Sequence, residues 1–185
     1  QLDLAAQRGD LGIRGAGGLV HALQASWGDA VLIQREGHRI AALVPASHGQ
    51  DGYQPTGPAW VRYQYDAQGD LVAARNRLDQ GESYAYRSHV VVKRTLASGF
   101  SFHFEWDQHT PAGRCVRNWG DREVHDFRFE WLENGLSRAI DSRGGVTSYV
   151  YNEDGQLLRL ESAEGVVSHF RYNEQGLLVE QTNPL

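Results

Sequence analysis

The sequence predicts an all-β chain, an array of antiparallel β-hairpin repeats forming a curled sheet. Three observations predict it: a motif recurs at nearly constant spacing, a second set of turn residues falls midway between its copies, and the stretches between turns alternate apolar and polar with a period of two.

The motif is an aromatic, any residue, a second aromatic, Asp or Asn, two polar residues, Gly, and Leu two positions on. It reads Tyr63, Tyr65, Asp66, Gly69, Leu71; then Tyr149, Tyr151, Asn152, Gly155, Leu157; then Phe170, Tyr172, Asn173, Gly176, Leu178. Degenerate copies fill the interval between the first two. Tyr84 and Tyr86 keep the aromatics but have Val90 at the glycine position, Phe129 and Trp131 keep Gly135, and Phe104, Trp106 and Asp107 precede a turn lengthened through Pro111 to Gly113. Val31, Ile33 and Gly37 form a weaker first copy. With the glycine position at 69, 90, 113, 135, 155 and 176, successive copies stand 20 to 23 residues apart.

The second punctuation comprises Asp79 with Gly81, Gly99, Asp141 to Gly144, and Ser162 to Gly165. Each turn is expected to end in a residue that tolerates positive φ, as in a type I turn closed by a left-handed bulge. Two turns per period leave strands of roughly six to eight residues, so each period is one hairpin. Alternation supports this: Phe127, Phe129 and Trp131 oppose Asp126, Arg128 and Glu130, while Phe102, Phe104 and Trp106 oppose Ser101, His103 and Glu105. Six hairpins give about twelve strands, a sheet roughly 60 Å wide, which curls rather than staying open.

Three regions follow. Residues 1–30 read as an N-terminal linker or the start of a shell, with glycine-rich linker from Gly9 to Gly18 and any helix confined to Leu4 to Arg8. Residues 31–58 read as a weak first hairpin followed by a long loop from Pro45 to Pro58, and residues 59–185 as the regular array.

Composition narrows the function. In 185 residues, 41% hydrophobic against 22% charged is a globular balance, which argues against disorder. Acidic residues outnumber basic ones 23 to 18, which gives no nucleic-acid footprint. Lys93 is the only lysine; the arginines suit a sheet surface, where a planar guanidinium bonds a carboxylate on the next strand. Cys115 is the single cysteine, read as a half-buried strand residue. No apolar run is long enough for a membrane helix. The start at Gln1 and the lack of methionine suggest an internal or processed piece of a longer protein.

Candidate chemistry is sparse. His103, Glu105, Asp107 and His109 share one face of an extended strand, but residues along a straight strand diverge where a metal needs convergence. Ser83 and Ser137 stand in relaxed nucleophile-elbow patterns, yet both follow hairpin turns rather than a strand-to-helix turn. Glycines 12, 15, 17 and 18 miss dinucleotide-loop spacing because Val20 stands where the last glycine belongs. Histidines 21, 38, 48, 89, 125 and 169 show no ligand spacing. The expectation is no cofactor, no metal and no catalytic residue.

The aromatic-x-aromatic-Asp/Asn-x-x-Gly-x-Leu unit resembles the YD repeat of bacterial Rhs proteins, relatives of teneurins and of insecticidal toxin-complex components. The resemblance covers about residues 60 to 182, and 31 to 44 weakly; Trp60 to Arg75 and Phe102 to Gly120 are especially Rhs-like. It implies a β-cage shell enclosing a C-terminal toxin, assembled in the bacterial cytoplasm and exported by type VI secretion. Its partners would be the rest of the shell and the toxin domain, with self-association through sheet edges and neither nucleic acid nor membrane. No Asp-Pro dipeptide occurs, so the family's self-cleavage, like its toxin activity, is expected outside this chain. A wall around a domain of about 100 residues needs on the order of 30 strands, of which this chain would supply about a third. The alternative is an extracellular recognition module in which Trp27, Trp60 or Trp119 stacks on a sugar or partner.

Overall fold

The computed structural model describes residues 11–16 and 19–183. The expected helix at Leu4 to Arg8 lies outside them. Described regular structure is all β-strand apart from one short turn at Asp121–Glu123. The chain divides into two compact units, Gln1–Tyr84 with Thr95–Gly99, and Ala85–Arg94 with Phe100–Leu185.

In the first unit, β1 (Leu11–Ala16), β2 (Leu19–Ala25), β3 (Ala30–Glu36) and β4 (Arg39–Gly49) form a continuous antiparallel meander. Most of the expected linker is therefore strand. The weak first copy is a complete hairpin, turned at Gly37, whose φ is 62°.

The expected loop from Pro45 to Pro58 is largely strand as well. The second half of β4 pairs with β5 (Gly52–Pro55), and the first half with β6 (Val61–Tyr65). Thus β5 and β6 lie end to end along one neighbour. Between Ala46↔Pro55 and Leu43↔Val61, the two β4 residues Val44 and Pro45 face the five residues 56–60, a wide bulge. The bulge explains how proline sits inside a strand: it lacks an N–H for a regular ladder, while its carbonyl still accepts the Thr56 N–H at 2.9 Å. β7 (Leu71–Asn76) then pairs with β6 and with the start of β8 (Gly81–Arg87).

The second unit takes up the end of β8 and most of β9 (Val90–Thr95). It continues with β10 (Ser101–Trp106), β11 (Cys115–Gly120), β12 (Phe127–Trp131), β13 (Leu136–Asp141), β14 (Val146–Tyr151), β15 (Leu157–Glu161), β16 (Val167–Tyr172) and β17 (Leu178–Thr182). From β10 to β17 each strand pairs antiparallel with the next.

The register fixes the faces. Phe104 opposes Asn118, which opposes Phe127; Phe129 opposes Ala139; Trp131 opposes Ser137, then Tyr149, then Leu160. Aromatics on β10, β12 and β14 therefore share one face and alternate with Gly120 and Asn118 on β11, Ser137, Ala139 and Asp141 on β13, and Leu160 on β15. The other face carries charge, with Glu130 opposite Arg138 at 3.5 Å and Arg171 opposite Glu180. Among the described residues the buried apolar side chains are Ala22, Ala30, Ala42, Val44, Ala46 and Ala73, all in the first unit, and no large side chain is fully buried. Each unit is a single layer held by its ladders rather than by a sandwiched core.

Candidate functional site

The repeated turns are built on one plan. At Asp66–Asp70, Asn76–Gln80, Asp141–Gly145, Asn152–Gln156, Ser162–Val166 and Asn173–Leu177, the first residue donates its N–H to the fifth residue's carbonyl, and the fourth donates back to the first, at 2.8 to 3.1 Å. The first side chain completes each turn: its oxygen accepts the fifth residue's N–H at 2.8 to 3.3 Å. Asp, Asn and Ser suit this position because their short side chains reach a backbone N–H a few residues on. The fourth residue is left-handed in all six: Gly69, Asp79, Gly144, Gly155, Gly165 and Gly176. The anionic turn residue feels these bonds, since the Gly145 and Arg143 N–H groups hold the Asp141 carboxyl below its ordinary range.

Departures from the plan have local causes. The copy with Val90 at the glycine position turns through Ser88 and His89, both at positive φ (50° and 66°), as a two-residue primed turn requires. Gly113 is not left-handed; a Cβ there would stand 2.1 Å from the Gln108 carbonyl oxygen, so the lengthened loop needs glycine for space. Asp107 keeps its role across that loop by accepting the Arg114 N–H at 2.8 Å. At Gly135 both demands coincide, with φ at 70° and a Cβ position 2.2 Å from the Tyr151 carbonyl oxygen.

The second aromatic of a copy also acts as a staple. The Tyr65 hydroxyl donates to the Ile40 carbonyl at 2.9 Å, Trp106 Nε1 to the Val91 carbonyl at 2.8 Å, and Trp131 Nε1 to the Cys115 carbonyl at 2.7 Å. Each acceptor lies at the start of an earlier strand. The signal was in the sequence: the second aromatic is Tyr or Trp in every copy (Tyr65, Tyr86, Trp106, Trp131, Tyr151, Tyr172), while the first admits Phe at Phe104, Phe129 and Phe170. Tyr63, Tyr84 and Tyr149 complete the first position; the Tyr149 and Tyr151 rings stack at 6.5 Å. Burial, more than the neighbouring Tyr149, pushes the Tyr151 hydroxyl up.

On the charged face of the second unit lies a polar cluster that the spacing of its residues did not reveal. His103 Nε2 lies 3.0 Å from Asp121 Oδ1, and Asp121 Oδ2 accepts the Ser101 N–H at 2.8 Å. These contacts, the histidine first, hold the Asp121 carboxyl low. His103 stacks on Trp119, and Arg117 lies 4.5 Å over the same indole while gripping both Asp126 oxygens at 2.9 and 2.7 Å. That grip lowers the Asp126 carboxyl. Among the described residues no three or more potential metal ligands come together, so His103, Glu105, Asp107 and His109 do not converge. Ser83 and Ser137 sit within β8 and β13, with no strand-to-helix turn beside them. Burial raises the Cys115 thiol, which stays protonated at neutral pH. An open hollow of about 770 Å³ beside Gly135 is lined by Arg114, Trp131, Leu132 and Tyr151, with Arg114 5.7 Å over the Trp131 ring.

The family model for the RHS Repeat matches residues 151–185, which span the Asn152 and Asn173 turns. Toxin protein Tse5 of Pseudomonas aeruginosa is 34% identical over 160 residues, 81% of this chain. The chain belongs to the Rhs/YD-repeat family. It spans only 12% of the length of Tse5. Among solved structures, TcdB2-TccC3 without its hypervariable C-terminal region aligns over 97% of the Rhs chain and 12% of its own, at 12% identity and a TM-score of 0.45. The Photorhabdus luminescens Tc holotoxin pore aligns over 91% and 11%, at 12% identity and a TM-score of 0.40. In this chain the Asp or Asn of the repeat caps its own hairpin at Asp66, Asn152 and Asn173, and the second aromatic is a staple at Tyr65, Trp106 and Trp131.

Proposed function

We propose that this chain is a structural segment of an Rhs shell that sequesters a C-terminal toxin for export, with no catalytic step of its own. The observation that carries the reading is the single-layer construction: turns and staples satisfy the hairpins internally, while no large side chain is fully buried among the described residues. Such a sheet suits a wall. Its mechanism is exclusion, since a hydrogen-bonded ladder keeps an enclosed polypeptide from its targets until the wall opens. The likeness to a protein named as a toxin supports this reading. Assembly in the cytoplasm and export, by type VI secretion, belong to the same proposal.

Limited proteolysis of the full-length protein tests it. The toxin region is expected to resist protease in the wild type and to become cleavable in Gly135→Val, which puts a β-branched residue at positive φ against a backbone carbonyl. Gly155→Ala, whose Cβ meets open space so that its strain is confined to the positive φ of 76°, is expected to weaken protection far less. A toxin region cleaved equally fast in wild type and Gly135→Val would end the shell reading. The recognition reading keeps Trp27 and Trp60, which are 75% and 40% exposed, whereas Trp119 is stacked between His103 and Arg117. Glycan-array binding lost on replacing Trp27 and Trp60 would favour it.

A further inference from the structure

We infer that the β11–β12 ladder is a breakable seam in the second unit, held shut by side chains rather than by backbone pairing. The ladder has two residue pairs, Arg117↔Arg128 and Asn118↔Phe127, against five for β12–β13 and five for β13–β14. Of these three ladders β11–β12 has the fewest backbone pairs, and one further backbone bond, from the Gly120 N–H to the Val124 carbonyl at 2.7 Å, lies at its connection.

Both pairs are themselves unfavourable. Arg117 and Arg128 stand directly opposite, and like charges in that position repel. In the other pair, the buried Asn118 Oδ1 has no hydrogen-bond partner, a desolvation cost that opening to water would relieve. The connection adds strain. Where the six regular turns take five residues, this connection runs through Asp121–Asp126, with Arg122, Glu123 and His125 left-handed at φ of 61°, 59° and 52°. Non-glycine residues persist there only when the surroundings over-determine them.

Two carboxylates provide that determination. Asp126 takes both ends of the Arg117 guanidinium, neutralising the charge that Arg128 opposes. Asp121 ties the connection to β10 through His103 and the Ser101 N–H. Trp119, stacked between His103 and Arg117, joins the two locks. The other charged groups facing the locks are Glu123, 3.9 Å from Arg117, together with Glu105 opposite Arg117 and Lys93, which acts on Asp121. With the locks in place the seam is closed; with Asp126 neutralised, two arginines face each other across the shortest of these ladders. Nothing in this depends on the shell reading.

Amide-resolved hydrogen exchange on the full-length protein tests it. Amides bonded across β11–β12 are expected to exchange at least tenfold faster than those bonded across β12–β13. Asp126→Asn is expected to speed the seam about a further tenfold while leaving β13–β14 unchanged. Arg128→Gln, which removes the opposing charge, is expected to slow the seam in the wild type and to reverse most of the Asp126→Asn effect. Equal protection of the two ladders would overturn the inference, as would acceleration by Asp126→Asn spread evenly over every ladder, or a failure of Arg128→Gln to slow the seam in either background.

Discussion

Single residues in this chain hold strands together through polar tips more than through buried bulk. The staple shows this best at Tyr65, whose hydroxyl reaches the Ile40 carbonyl while its ring lies under the Arg39 guanidinium at 5.5 Å. A hydroxyl bonded to a partly buried carbonyl contributes roughly 0.5–1.5 kcal/mol net. Tyr65→Phe keeps the ring and loses the bond, so it is expected to lower unfolding stability by about 1 kcal/mol, read from a urea midpoint at unchanged slope. Phe104→Tyr adds a hydroxyl at the first aromatic position, where Phe is admitted, and supplies the comparison. If Tyr65→Phe proves as stable as the wild type, the staple contributes packing alone.

At the scale of the element, the hairpin turn is where sequence and structure agree most closely, because its chemistry is local. An Asp, Asn or Ser followed three residues later by a left-handed residue specifies the whole bond pattern, so Asp66, Asn152 and Asn173 were legible, and the second punctuation at Asp141 and Ser162 equally so. What escaped the sequence depends on distant partners. Pro45 signals a loop until the opposing chain bulges to accommodate it, and the Asp121 and Asp126 locks exist only because β10, β11 and β12 meet in one register. These carboxylates also set the response to acid. Asp121, Asp126 and Asp141 all have folded pKa values below the ordinary one, so their stabilisation is fully present above about pH 4–5 and is lost as pH falls through the depressed values. Stability is therefore expected to be flat from about pH 7 to 5 and to fall below about 4. Asp141→Asn should still fold, since Asn fills the same turn position at Asn76, Asn152 and Asn173, and should show a shallower loss between urea midpoints at pH 6 and pH 3 at fixed ionic strength. An unchanged loss in Asp141→Asn would remove its turn from the acid response.

For the whole molecule, the consequence of single-layer construction is that apolar residues stay near water unless something pairs with them. The last described strand, β17, is exposed at every position, and Leu177, Leu178 and Val179 stand in sequence at 65%, 51% and 52% exposure. A hydrophobic strand of this kind offers backbone groups and side chains to another chain, and natural proteins blunt such strands with charge, lysine above all. Here the only lysine is Lys93, far from β17 in sequence, and the charged side chain within the strand, Glu180, is held by Arg171. The isolated 185-residue chain is therefore expected to self-associate through β17 with rising concentration. Val179→Lys is expected to weaken that association at least tenfold without altering the β16–β17 pairs, because Val179 is absent from their register at the bulge beside Tyr172↔Leu178. Sedimentation velocity over a hundredfold concentration range distinguishes the outcomes. A chain monomeric throughout, or one whose association Val179→Lys leaves untouched, would show that this strand is not adhesive and that its exposed residues need no cover.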